Sequence, residues 1–202
     1  MSSEEYSDTT SKLSGQQLPK PGYWVNDELP ENVRVGTNTI ITGDYAFKRF
    51  HGSRNPALNI GMDCTMEGVH FAIGEGGYIE LGNYCYFTNA ILLCELEIKI
   101  GNYVVIGWNT TIADTDFHPI APAERIADAI ACSPLGKNQT RPEIVRKKVI
   151  VEDDVWIGPN ATILKGVRIG AGAFIEAGTL IVNDIPPRVR VIGNPAQIIG
   201  EV

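Results

Sequence analysis

Residues 114–119 read Asp-Thr-Asp-Phe-His-Pro and hold the arrangement in this chain best suited to acid–base chemistry. A free imidazole, with a pKa of about 6.5, is largely neutral near pH 7 and can take a proton from an alcohol. His118 is therefore the candidate general base. Asp114 or Asp116 could fix its ring tautomer by accepting a hydrogen bond from the second nitrogen. Pro119 limits how the chain can leave that point. A histidine beside two aspartates is often only a solvated turn, so the reading depends on what holds it in place.

What holds it is a repeat. From Val151 onward every sixth residue is a branched aliphatic: Val151, Ile157, Ile163, Ile169, Ile175 and Ile181. The fourth residue after each is small or β-branched: Val155, Ala161, Val167, Ala173, Thr179 and Ile185. An amphipathic helix spaces its apolar residues at i, i+3, i+4 and i+7, and a half-buried strand alternates them, so neither template fits. A parallel α/β sheet would need a crossover of a dozen or more residues between strands, for which there is no room. A hexapeptide repeat instead predicts a parallel β-helix of short strands joined by tight corners.

The same spacing runs upstream through Val35, Ile41 and Phe47, then Ile60, Met66 and Ala72, then Leu81, Phe87 and Leu93, then Ile100, Ile106 and Ile112. Each triplet is read as one triangular coil with these side chains inward, giving about six coils and a prism about 29 Å tall. Slips in the spacing mark insertions. One lies between Lys48 and Asn59 and carries Lys48, Arg49, His51 and Arg54; the other is a long loop over 113–149 that contains His118. Inserted loops on such a scaffold commonly carry function. Residues 1–30 are assigned to an arm and cap, with a polar, mobile arm to about residue 22 and Tyr23, Trp24, Val25 and Leu29 covering the first coil; residues 31–202 form the repeat domain.

Composition narrows the partners. With 24 acidic and 17 basic residues, the formal net charge of -7 argues against nucleic acid, whose binding rests largely on Lys and Arg. No run of 18 apolar residues suggests a membrane span, and the first 22 residues lack the apolar core of a signal peptide, so a cytoplasmic location is expected. The four cysteines form no CxxC pair, and Cys64 and Cys85 fall in small core slots, reduced and inert. Flat apolar sheet faces predict a homo-oligomer.

The coils, the segment from Ile106 through DTDFHP, the stretch VEDDVWIGPNATILKGVRIGAGAFIEAGTLIVNDIPP and the closing VIGNPAQII together resemble the hexapeptide-repeat acyltransferases. More narrowly, they are similar to the sugar O-acetyltransferases, which include maltose, galactoside, Nod-factor and polysaccharide acetyltransferases. The resemblance covers roughly residues 80 to 202. It implies a left-handed β-helix and a homotrimer with active sites between subunits and acetyl-CoA in the groove. It also implies direct attack by a saccharide hydroxyl deprotonated by His118, with no metal required.

By the same resemblance Trp156, Gly158 and Ala177 belong to the cofactor groove, although Trp156 points outward and equally suits a subunit face. Two departures stand out. Pro159 occupies a position whose backbone amide helps hold the oxyanion in galactoside- and maltose-type enzymes, and proline has no N–H. A Lys near the double proline is replaced by Asn183, leaving Lys165, Arg168, Arg188 and Arg190 as the cations for CoA phosphates, with Lys165, Arg188 and Arg190 assigned to that role. On the acceptor side Phe87 stands where galactoside-type enzymes place a sugar-contacting Asn, and Phe87, Asn89, Trp108 and Asn109 are assigned to the acceptor. The alternatives are a non-catalytic β-helical scaffold and a γ-type carbonic anhydrase. The latter would need His51, His70 and His118 to converge on zinc, which nothing in their spacing suggests.

Overall fold

The computed structural model describes residues 20–136 and 139–202, which wind into a three-faced parallel β-solenoid of about 7 turns, consistent with the left-handed winding expected. The polar arm expected at the N-terminus lies, through residue 19, outside the described residues.

The first face stacks Val33–Val35, Leu58–Ile60, Ile79–Leu81, Ile98–Ile100, Val149–Val151 and Arg168–Ile169. The second carries the parallel run from Tyr23–Trp24 and Ile40–Thr42 through Tyr86–Thr88, Val105–Ile106, Trp156–Ile157 and Phe174–Ile175 to Val189–Ile192, closed by the antiparallel strand Gln197–Glu201. The third holds His70–Ile73, Ile91–Cys94, Thr111–Ala113, Thr162–Ile163 and Leu180–Ile181. The count exceeds the six coils expected because Tyr23–Trp24 and Val189–Ile192 add part-turns at the two ends.

Inside, like side chains stack in columns: Ile41, Met66, Phe87, Ile106, Ile157, Ile175 and Val191 form one, all fully buried. Burial of such a side chain is worth ~1.5–3 kcal/mol before ordering entropy is charged against it. Val155, Ala161, Val167, Ala173, Thr179 and Ile185 are also buried, as the repeat predicts. Cys64, Cys85 and Cys94 are buried and unpaired, and the hydrogen bond with Cys64, followed by burial, pushes the Cys85 thiol up. Trp24 covers the first coil, its ring edge-on to Phe47 at 4.9 Å and its indole N–H donating to the Gly43 carbonyl at 3.1 Å. Leu29 also packs against the core, whereas Tyr23 and Val25 are exposed.

The upstream register differs from expectation on the third face. Ala46, Phe71 and Leu92 point inward, and Ala72 and Leu93 do not, while Phe47 stacks on Phe71 at 5.7 Å and packs against the end of the core. The cause is a corner one residue shorter than in the later coils, since Leu92 follows Phe87 by five positions where Ile112 follows Ile106 by six. A one-residue slip exchanges the two faces of a strand. Ala72 and Leu93 therefore face outward on the upper part of this face.

The long excursion runs from 114 to 148, because Ala113 ends one strand and Val149 begins the next. It contains the helix Pro122–Ala131, opened by its proline in the first turn, and a short 3-10 turn at Pro134–Gly136. Thr115 and Arg146 bridge its two ends in antiparallel fashion.

Candidate active site

His118 sits at the corner where the third face would pass to the first, just beyond Thr111–Ala113. Its Nδ1 lies 2.5 Å from Oδ2 of Asp128, a fully buried carboxylate on the helix ten residues further on. Arg141 clamps the same carboxylate, with Nε 2.6 Å from Oδ1 and a terminal nitrogen 3.2 Å from Oδ2, and also donates to the Phe117 carbonyl at 2.8 Å. Donation from Arg141, followed by that from His118, pulls the Asp128 carboxyl from its ordinary value near 3.8 down to about 2. An ionised Asp128 accepts the Nδ1 proton, which puts the lone pair of neutral His118 on Nε2. Among the described residues that nitrogen has no hydrogen-bond partner, and the His118 side chain is 58% exposed.

The turn carrying the ring is strained. Phe117 adopts φ +64°, and the His118 N–H donates back to the Asp116 carbonyl at 2.7 Å, closing a three-residue turn of the rare left-handed kind. The Phe117 N–H also reaches the Thr115 hydroxyl at 3.2 Å.

The two aspartates expected to orient the ring do other work. Asp114 is fully buried and accepts the backbone N–H groups of Glu95, Leu96 and Glu97 at 2.7–2.8 Å, with the Cys94 thiol at 3.3 Å. It fixes the corner of the preceding coil. Asp116 holds the Lys165 ammonium at 2.6 Å and touches the histidine through its backbone alone. Asp128 and Arg141 therefore fill the part that spacing offered to Asp114 and Asp116. No sequence signal marks Asp128, since on its helix the aspartate is buried while Ile126 and Ile130 are exposed, the reverse of what residue type predicts.

The residues assigned to the cofactor lie lower on the prism. Trp156 is half-buried on the second face, its ring stacked on Phe174 at 4.4 Å. Gly158 is buried where the next coil approaches so closely that a Cβ would come within 2.6 Å of the Ala177 nitrogen. Ala177 is exposed beside it. Lys165 is engaged by Asp116, and Arg190 pairs with Glu176 and covers Phe174. Arg188 is exposed and lines a cavity of about 240 Å³ with Pro187, Val189, Glu201 and Val202. At Pro159 the flanking amides are spent, that of Gly158 on Ile175 and that of Asn160 on Trp108, both at 2.8 Å.

Phe87 is corrected. It is fully buried in the central column, inward between Met66 and Ile106, and cannot touch an acceptor. Asn89 and Asn109 are exposed corner residues at φ 46° and 58°, in line with Asn160 at 57°, where asparagine tolerates the left-handed backbone better than most residues. Trp108, 56% exposed, sits on the same corner. That corner also carries Gly158 and Ala177, and it is separated from the His118 corner by the width of a three-residue strand, about 10 Å. One chain therefore holds its base and its expected cofactor residues on different corners.

The three histidines line three different, adjoining cavities, His70 one, His51 the next and His118 the third. Among the described residues no group of three or more His, Cys, Asp or Glu side chains is gathered to hold a metal. No helix among them is long and apolar enough to cross a membrane.

Residues 148–183 match the family model for the bacterial transferase hexapeptide, six repeats. A galactoside O-acetyltransferase of Lactococcus lactis is 34% identical over 140 residues, 69% of this chain and 60% of that protein, so the chain spans less than two thirds of this relative's length. A crystal structure of a hexapeptide-repeat-containing acetyltransferase from Vibrio cholerae superposes with TM-score 0.54 at 26% identity, covering 77% of this chain and 76% of the other. A galactoside acetyltransferase in complex with coenzyme A shares the fold, with TM-score 0.51 at 22% identity over 90% of this chain and 64% of the other.

Proposed function

We propose that this chain, whose residues 148–183 match the bacterial transferase hexapeptide model, is a hexapeptide-repeat transferase and, more narrowly, an acetyl-CoA-dependent O-acetyltransferase acting on a saccharide hydroxyl. The observation that carries the reading is the array of His118, Asp128 and Arg141, in which the Asp128 carboxylate holds Nδ1 and Nε2 is left exposed beside a cavity of about 230 Å³. A scaffold has no use for a buried carboxylate spent on orienting a surface histidine.

In the proposed reaction Nε2 takes the acceptor hydroxyl proton as the oxygen attacks the thioester carbonyl. The new C–O bond forms, the C–S bond breaks, and His118 returns the proton to the departing thiolate. Asp128 is a positioning residue that keeps the tautomer and steadies the imidazolium formed in transit, with Arg141 holding Asp128 ionised. Positioning hydroxyl and thioester together supplies much of the rate. The donor is placed against Trp156, Gly158 and Ala177. With the Asn160 and Gly158 amides in ladder bonds, the oxyanion donor is not one of them.

The separation of the corners favours a site completed by a second copy, in which the His118 corner of one subunit faces the Trp108–Ala177 corner of its neighbour. A cyclic trimer closes this head-to-tail contact and yields three such sites. Apolar Ile120, Ile126 and Ile130, all exposed on the excursion, suit burial in such an interface. A cytoplasmic location, where acetyl-CoA is available, belongs to the same proposal.

The test is thiol release from acetyl-CoA in the presence of saccharide acceptors. Wild type is expected to turn over, and His118→Ala to bind CoA with unchanged affinity and lose turnover. Equal turnover by both proteins rejects His118 as the base.

A further inference from the structure

The cavity beside His118 is one end of a longer trough. A cavity of about 430 Å³ is lined by Tyr45, Lys48, Arg49 and His70 over a floor that includes Ala72, Ile91 and Leu93. It shares Arg49, Ala72 and Leu93 with a second of about 310 Å³, to which His51 contributes. The second in turn shares Glu95, Thr115 and Phe117 with the cavity at His118. The trough exists because of the short corners upstream, which turn Ala72 and Leu93 outward to make an apolar floor.

Its charge runs against that of the molecule. In a chain with 24 acidic and 17 basic residues, the trough lining holds Lys48, Arg49, Arg141 and Arg146 and one acidic residue, Glu95. Arg141 is committed to Asp128. Among the described residues Lys48, Arg49 and Arg146 form no ion pair, unlike Lys99, Lys165, Arg168 and Arg190 elsewhere on the surface. Lys48 instead rests 4.6 Å above the ring of Tyr45, a half-exposed aromatic at the rim. Apolar floor, aromatic rim and unpaired cations together make a surface for a sugar ring that carries negative charge.

We infer that the trough is the acceptor site and that the acceptor is an anionic saccharide, its carboxylate or phosphate held by Lys48 and Arg49 while a hydroxyl reaches His118. The inference rests on the O-acetyltransferase reading for its direction: the proposed donor residues Trp156, Gly158 and Ala177 lie on later coils than His118, and the trough extends over earlier ones. The cations are thus on the side away from the donor. Lys48 and Arg49 are exposed, and neither side chain appears in a hydrogen bond among the described residues, so replacing them leaves the core intact.

The experiment is isothermal titration of the full chain, wild type and the double variant Lys48→Gln/Arg49→Gln, with trigalacturonate, its methyl-esterified form, galactose 6-phosphate and CoA. A charged probe is expected to bind wild type about tenfold or more tighter than the ester, a preference the double variant loses, as for charge-assisted hydrogen bonds. CoA affinity is expected to be the same in both proteins. Whether trigalacturonate or the sugar phosphate shows the preference distinguishes a carboxylate from a phosphate. Binding of the ester as tight as that of the charged probes overturns the inference, as does absence of binding by both charged probes or their unchanged binding in the double variant. A fall in CoA affinity in the variant also overturns it, because the cations then serve the donor. If wild type binds a charged probe with the expected preference but transfers no acetyl group to it from acetyl-CoA, the trough's specificity stands and the transferase reading fails.

Discussion

Two consecutive stretches of similar length, 114–148 and 149–185, follow opposite rules. In the second, the sixth-residue aliphatics and the small residues between them are all buried, and the backbone bonds go to the coils above and below. In the first, the fully buried side chains include two carboxylates, while Ile120, Ile126, Ile130 and Leu135 face outward. The periodic stretch gains its stability from stacking. The aperiodic one is held by charge-assisted hydrogen bonds: Asp114 on three amides, Asp116 on Lys165, and Asp128 on Arg141 and His118. Stacking gives a rigid frame, and the polar bonds present a reactive group at a defined angle on it.

That contrast can be broken at either end. The largest effect is expected from His118→Ala, with kcat down by about two to four orders of magnitude and the melting temperature nearly unchanged. Val167→Asp should do the reverse, since a charge in the stack costs several kcal/mol and lowers the melt before any question of chemistry arises. An unaltered melt for Val167→Asp would mean the stack is not the source of stability.

Asp128→Asn is expected to fall between, losing activity by roughly 10–100-fold, as for other hydrogen-bond partners that orient a functional histidine. Because the helix could shift in that variant, Asp114→Asn is the control: it should cost ~1–3 kcal/mol of stability by weakening the corner, with less loss of rate than at Asp128. A larger rate loss at Asp114 would return the orienting role to the residue that spacing first suggested.

The smallest effect is one of pH. The Asp128 carboxyl is lowered from near 3.8 to about 2, so its contribution to the excursion is complete above about pH 4 and is lost as pH falls through about 2. Pepsin digestion across that interval should open 114–148 while 149–181 stays protected. Cleavage spread evenly over both stretches would contradict the division between them.

The legibility of the sequence follows the same boundary. Ile157, Ile163 and Ile175 could be placed inward because each coil repeats one geometric demand six residues later. Ala72 and Leu93 could not, because a corner one residue short reverses the face without changing residue type. The position of His118 at the departure from the coil was readable, but Asp128 was not. It is brought to the histidine by a helix whose apolar residues, by pattern alone, would have been turned inward. Phe87 shows the same limit in another form: its match to a sugar-contacting position competes with its place in the column Met66–Phe87–Ile106, and the column prevails. Arg141 lies 24 residues from Phe117, whose carbonyl it holds, and no local spacing signals that bond.

The most direct measurement concerns the separation of the two corners. His118→Ala and Ala177→Trp would each be inactive, one lacking the base and the other with the donor corner blocked, and the two chains would be denatured together and refolded at equal amounts. If each site is shared between neighbours, random trimers carry both intact corners at about a quarter of their interfaces, and about a quarter of wild-type activity should return. Activity no greater than the sum of the two separate variants would contradict the account and place the whole site within one chain.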